Sequence, residues 1–298
     1  MNSFLSTLKS KKVLLCDGAM GTELQRRGLK VGDCPEEYNL THPEMIQAIH
    51  QDYFNVGSDI VETNTFGANR LRLKFYGLED KVKEINSAAV RNAKLVCPKN
   101  KFIVGSVGPL GELLEPLGNI SENFAYEVFS EQAKILEDAG VDILFIETMM
   151  AIEEAVLAVR AAKENTSLPV SASMTFEQGK TGLKTPWGVD VQTAVNELAN
   201  AGADIIGSNC GKGFDEMIQV INEMRRLTNK PIVAQSNAGI PELVDGNLIY
   251  VETPEMIAPK VHELLKFGVN IIGGCCGTNP THIKKMREIL DLFLASHI

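Results

Sequence analysis

The chain has no run of apolar residues approaching the roughly 18 that a membrane-crossing helix needs, so no span is expected. Its opening, MNSFLSTLKSKK, has too short an apolar stretch for a secretory leader and carries its lysines after it, so a cytoplasmic setting is expected. Positive charge is in deficit: 29 Lys and Arg against 38 Asp and Glu leave a net charge of −9. The basic residues are dispersed, with no stripe that would neutralise a row of phosphates, which argues against a nucleic-acid surface. No Cys-x-x-Cys pair occurs, which argues against a closed four-ligand zinc site. Six cysteines in a cytoplasmic chain do not read as a disulfide framework either. No linker-like stretch divides the 298 residues, so one domain spanning 1–298 is expected.

What does recur is a short apolar run that ends in small or polar residues and is followed by an amphipathic segment. The first four runs are VLLCDG (13–18), DIVETNT (59–65), KFIVGSVGP (101–109) and VDILFIET (141–148). The other four are PVSASMTF (169–176), ADIIGSNC (203–210), PIVAQSN (231–237) and VNIIGGCCG (269–277). Near-continuous apolar runs of this kind suit parallel strands buried on both faces. The segments between them carry helix signals: Thr41 before 43–56, Ser121 before 122–139, Asp190 before 191–200, and Thr253-Pro254 at the head of the next. Eight strands alternating with helices predict a (β/α)₈ TIM barrel, an α/β fold, with an open doubly wound sheet as the alternative. Segments 110–120 and 177–189 are the long loops, and the single tryptophan, Trp187, falls in the second.

In a barrel, chemistry gathers where strands end. Asp17, Glu62 to Asn64, Glu147, Asn209, Gln235, Asn237 and three cysteines occupy those ends, and no histidine does. Cys210 closes IIGSNCGKG, while Cys275 and Cys276 close IIGGCCGT. Three thiolates converging from two strand ends would leave a fourth tetrahedral position open, the arrangement of a catalytic zinc. From spacing alone a redox dithiol stays open as well, although adjacent cysteines close a disulfide only with strain. Cys16 and Cys97 read as buried hydrophobes and Cys34 as incidental.

GSNCG (207–211) with GGCCGT (273–278) resembles the zinc motifs of the homocysteine S-methyltransferase family, and DGAMGTELQRRG (17–28) and ETNTFGANRLRL (62–73) are similar to two more of its signatures. The resemblance runs from about residue 13 to 285. It implies a barrel in which Cys210, Cys275 and Cys276 bind Zn²⁺ and the homocysteine sulfur completes the set. It also implies that Asp17 and Glu147 hold the substrate ammonium and that backbone N–H groups around Gly18 receive the carboxylate. Asn64 and Asn209 are expected on the substrate side, shaping the site together with Asn237. Methyl donors in the family are betaine, methylsulfonium compounds such as S-methylmethionine, and methylcobalamin on a corrinoid protein. Phe66 is followed by Gly67 rather than by the second aromatic residue of betaine-using relatives, and QSNAGIPELVDG (235–246) is more like the homocysteine module of cobalamin-dependent methionine synthases. A methylcorrinoid on a separate protein or module is therefore the expected donor and partner. A small onium donor and a non-catalytic zinc- or thiol-binding barrel are the alternatives.

Overall fold

Each apolar run forms a parallel strand whose side chains alternate between two apolar environments. In the computed structural model, which describes residues 3–244 and 247–296, these are β1 Leu14–Leu15, β2 Ile60–Glu62, β3 Phe102–Val107 and β4 Ile143–Met149. Then come β5 Val170–Met174, β6 Ile205–Cys210, β7 Ile232–Ser236 and β8 Ile271–Gly274. Asp245 and Gly246, the end of the QSNAGIPELVDG segment, lie outside the described residues, as do two residues at each terminus. The ladders run β2 to β8 in chain order and then β8 to β1, all parallel, with helices between successive strands. This is a (β/α)₈ barrel in a single domain, not the open sheet.

A period of two sorts the strand residues. Leu14, Ile60, Phe102, Ile143, Ile205, Val233 and Ile271 share the inner cluster, whereas their neighbours Leu15, Val61, Ile103, Leu144, Ile206, Ile232 and Ile272 join the outer core. The first helix, Ser3–Lys11, inserts Phe4 and Leu8 into the inner cluster, where Phe4 meets Phe102 edge-on at 5.0 Å. No helix among the described residues is long and apolar enough to cross a membrane.

The β1–β2 seam has no strand ladder and is stitched by one backbone hydrogen bond and two that side chains accept. The Asp59 N–H donates to the Leu15 carbonyl at 2.7 Å, and the Leu15 N–H donates to Asp59 Oδ2 at 3.1 Å. Further up, the Glu62 N–H donates to Asp17 Oδ2 at 3.0 Å. Asp59 is itself ringed by Lys11, Lys101 and Arg287 at 3.2, 2.9 and 3.3 Å.

Ser121, Asp190 and Thr253 cap their helices as expected, each side chain accepting from the N–H three residues on. Thr41 does not: it ends a short helix, Tyr38–Thr41, and His42 precedes helix Pro43–Asn55 without a side-chain cap. Two antiparallel hairpins were not expected. One, Glu177–Gly179 with Gly182–Lys184, folds within the long loop after β5; the other pairs Pro241–Val244 with Asn247–Tyr250 after β7. The strands are also shorter than their apolar runs, so Cys275 and Cys276 stand in the turn beyond β8 rather than on it.

Candidate metal centre and substrate cavity

The three cysteines that the sequence separates meet at the barrel mouth. Their sulfurs lie within 4.8 Å of one another, and Cys210 Sγ is 3.1 Å from Cys275 Sγ. Cys210 holds the left-handed conformation with φ +63°, unusual for a residue with a β-carbon and of the kind that clusters at functional sites. The turn carrying the other two is fixed by backbone bonds: the Cys275 N–H donates to the Ser236 carbonyl at 2.8 Å, and the Ala238 N–H donates to the Cys276 carbonyl at 2.9 Å. Thr278 Oγ1 donates to the Cys275 carbonyl at 2.7 Å. A β-carbon on Gly274 would sit 2.2 Å from that same hydroxyl oxygen, so only glycine allows the turn to close.

The sulfurs are electrostatically unequal. The Cys276 thiol is pulled down to about 3 because Cys210 and Cys275 donate to it, with Tyr250 adding a further hydrogen bond against the opposing effect of burial. Cys275 is pushed well up by its hydrogen bonds to Cys210 and Cys276 and by burial. One shared negative charge among three sulfurs is an arrangement that a cation completes. Three thiolates about 2.3 Å from a zinc ion would stand about 3.8 Å apart, which this cluster accommodates. Asn237 beside it donates Nδ2 to the Gly211 carbonyl at 2.7 Å, while its Oδ1 is buried without a partner. The donor set fits zinc with one position left for an exogenous ligand.

All three cysteines line a 390 Å³ cavity that reaches down to the carboxylates of Asp17, Glu62 and Glu147. Glu147 accepts from Ser106 Oγ at 2.5 Å and from Asn209 Nδ2 at 3.1 Å. Asn209 is spent on this support, since its Nδ2 also donates to Thr148 Oγ1 at 2.7 Å and its Oδ1 receives the Thr148 N–H and Ser173 Oγ, each at 2.7 Å. Thr148 is the second non-glycine residue here in the left-handed region, at φ +59°. Glu62 Oε1 accepts from Gln235 Nε2 and, at 3.5 Å, from Cys16 Sγ. Burial pushes the carboxyl of Asp17 up to about 8 and that of Glu62 up to about 7, the latter with help from the charge on Asp17. Glu147 is raised as well, first by burial and then by Glu62. Among the described residues no cationic side chain lines the cavity, so the group as a whole lacks a counter-charge.

Gly18 lies in the cavity wall with Met20, Gly21 and Thr22, and Asn64 lines it while donating Nδ2 to the Pro35 carbonyl at 2.7 Å. Trp187 stands apart: it lines a second, 330 Å³ surface cavity with Leu113, Leu117 and several glutamates. Read from the sequence, Glu62 and Gln235 are only polar strand ends with no specific role, and nothing singles out Ser106 or Tyr250. Glu62 was countable as an inward position two residues after Ile60, but Tyr250 arrives from a hairpin that no local pattern announced. Cys16 is buried as expected, yet its sulfur lies among carboxylates, 3.4 Å from Asp17 Oδ1.

A family model described as Homocysteine S-methyltransferase matches residues 14–290. The chain belongs to the homocysteine S-methyltransferase family. Two family relatives are methionine synthases: that of Mycobacterium tuberculosis is 32% identical over 295 residues, 93% of this chain, and that of Mycobacterium leprae 33% over 300 residues, 95% of it. The chain spans 24% of the length of each of these relatives. The metallated homocysteine methyltransferase MmuM of Escherichia coli shares the fold at a TM-score of 0.79 and 22% identity, covering 95% of this chain and 98% of that one. A methyltransferase from Methanosarcina mazei shares it at 0.65 and 11% identity, with 97% and 98% covered.

Proposed function

We propose that this chain methylates the thiol of homocysteine, giving methionine, at a zinc ion held by Cys210, Cys275 and Cys276. The observation that carries the reading is the opening of the three-sulfur cluster onto the cavity that ends in uncompensated carboxylates. A zwitterionic amino acid with a thiol at its far end matches both poles of that cavity. Zinc, when bound, supplies a Lewis acid that keeps a ligating thiol deprotonated at neutral pH.

The chain's own residues bind and aim the substrate. The carboxylate floor, to which Asp17 and Glu147 belong, receives the ammonium, and the backbone of Gly18 to Thr22 receives the carboxylate. Glu147 is held by Ser106 and Asn209, so the substrate is gripped at the end away from its sulfur. In the transfer, the new S–CH₃ bond forms as the bond from methyl to its carrier breaks, the carrier keeps the electron pair, and the thiol proton passes to solvent. In-line attack makes positioning the main contribution of the protein.

The donor we propose is a methylcorrinoid presented by a separate protein or module. Its support is the likeness to methionine synthases of which this chain spans 24%. The cavity also lacks an aromatic cage for a quaternary ammonium, Phe66 being its only aromatic lining residue among those described. A small onium donor such as S-methylmethionine is the second reading, favoured by near-complete overlap with the single-barrel MmuM.

Incubating the zinc-loaded chain with homocysteine and, in parallel, methylcobalamin, S-methylmethionine or betaine separates the readings by methionine formed. Turnover with methylcobalamin supports the first, turnover with an onium donor the second. No turnover with any of them counts against homocysteine as the acceptor.

A further inference from the structure

The last ladder pairs join Cys210 and Gly274 to Ser236, and beyond them the three turns around the sulfurs leave the sheet. One residue ties these turns together, and it belongs neither to the cavity wall nor to the sulfur cluster. Glu252 lies between the Asn247–Tyr250 strand of the second hairpin and the helix Pro254–Lys266, and it is 8% exposed. Its side chain reaches the Cys210 turn, where Oε2 accepts the Phe214 N–H at 3.3 Å. Its N–H donates to the Ala238 carbonyl at 3.0 Å, and the Ala238 N–H is the donor to the Cys276 carbonyl. Its own carbonyl accepts from His282 Nε2 at 2.8 Å, in the first turn of the helix Pro280–Ala295 that follows Cys275 and Cys276.

Two glycines let the turns close on this side chain. Gly213 and Gly239 hold positive φ, +129° and +87°. A β-carbon would sit 3.0 Å from Glu252 Oε2 on the first and 3.1 Å from Glu252 Cγ on the second, so the Cys210 turn and the Ala238 turn approach the carboxylate from two sides as only glycine allows. Lys260 fixes the other oxygen, its Nζ donating to Glu252 Oε1 at 2.5 Å and to Asp215 Oδ2 at 2.7 Å, so the start of the helix Phe214–Leu227 is held twice. A buried ion pair contributes little net stability compared with apolar side chains of the same volume. What this pair supplies is direction, because its bonds are all made only with the Cys210 turn in one place.

We propose that Glu252 is a positioning residue for the metal, holding the Cys210 turn at the separation from Cys276 that a zinc ion bridges. The assignment rests on the zinc reading of the three cysteines. It goes beyond that reading by placing part of the metal affinity in a residue that is not itself a ligand.

The test measures zinc affinity by competition with a chromophoric chelator, and the geometry of the site by the absorption of cobalt(II) bound in place of zinc. Glu252→Ala is expected to weaken zinc binding about 10- to 100-fold, the scale of loss when a group that supports a metal ligand is removed, and to shift the cobalt d–d bands. Glu252→Gln keeps an oxygen that can accept the Phe214 N–H and is expected to lose less. Asp59→Asn is the control. It removes a buried anion at the other end of the barrel, and its zinc affinity should stay within about 3-fold of wild type with the cobalt spectrum unchanged.

Zinc affinity in E252A within about 3-fold of wild type would overturn the assignment. So would a loss in D59N as large as that in E252A, which would trace the effect to a general weakening of the fold, or a larger loss in E252Q than in E252A. Should E252A not fold, Glu252→Asp draws the carboxylate back from Phe214 by one methylene and carries the same comparison. A wild-type chain that takes up neither metal would instead remove the zinc reading, and this assignment with it, an outcome distinct from the others.

Discussion

Three side chains carry the metal chemistry, and each is expected to be indispensable in the same way. Cys210→Ala, Cys275→Ala and Cys276→Ala should each bring bound zinc from one ion per chain to near zero and abolish methyl transfer, with the far-ultraviolet dichroism unchanged. Metal analysis after gel filtration, paired with the methionine assay, checks this; full activity in a zinc-free variant would end the proposed mechanism. Tyr250 should behave differently. Its ring lies over Gly277, where a β-carbon would come within 2.0 Å of it, and its hydroxyl bonds the Cys276 sulfur. A hydrogen bond to a charged acceptor contributes about 1.5–3 kcal/mol, so Tyr250→Phe should keep the zinc but release it to a chelator on the order of tenfold faster or more. An unchanged release rate would leave Tyr250 with packing alone. The cysteines were legible because glycine flanks them at strand ends, where an apolar run has no packing reason to place a thiol. Tyr250 was not, since its only link to the centre is through space, and Gln235 was visible only as a polar strand end.

At the scale of elements, the eight strands were legible because burial on both faces writes them as continuous apolar runs, and three caps were legible because Ser, Asp and Thr satisfy the first free N–H groups of a helix. The hairpins were hidden because their strands are only three or four residues long, too short for a period to show in the sequence. The Thr41 cap failed because a separate turn of helix ends there and uses the residue first. The seam between β1 and β2 was also hidden, since two of its three hydrogen bonds are accepted by the side chains of Asp59 and Asp17. Burial pushes the Asp59 carboxyl up, but the hydrogen bond from Lys101, the Leu15 N–H and the neighbouring lysine charges outweigh it, so its net shift is downward. A depressed carboxyl stabilises the fold above its ordinary value of about 3.9, and that contribution is lost as pH falls through the lower folded value. Asp59→Asn should therefore cost about 3 kcal/mol at pH 7, because Lys11, Lys101 and Arg287 lose their shared anion, and the cost should shrink toward acid. Urea denaturation at pH 7 and pH 3 measures it, and equal costs at both would assign the effect to packing.

The whole molecule carries the opposite linkage at its mouth. Asp17 and Glu62, raised to about 8 and about 7 mainly by burial, bind protons more tightly folded than unfolded. Their contribution to stability is complete below about pH 4, where both states are protonated, and is lost as pH rises through those folded values. The metal-free, substrate-free chain should then melt at progressively lower temperature between pH 5 and pH 8.5, and a bound homocysteine ammonium should flatten that slope. Thermal melts across this range with and without homocysteine decide it; a flat profile for the free chain would show that the carboxylates meet enough water to ionise normally.

The seam has a further consequence, which concerns how the protein can change over time. Asp17 closes the barrel wall through its bond to Glu62 and belongs to the carboxylate floor of the cavity, so its side chain serves two traits that selection cannot separate. Variation that retunes the site toward other thiols is free to run through Gln235 or Tyr250, whose side chains close no part of the wall. At Asp17 every such step is also a step in the integrity of the fold, and drift there is closed off at the outset.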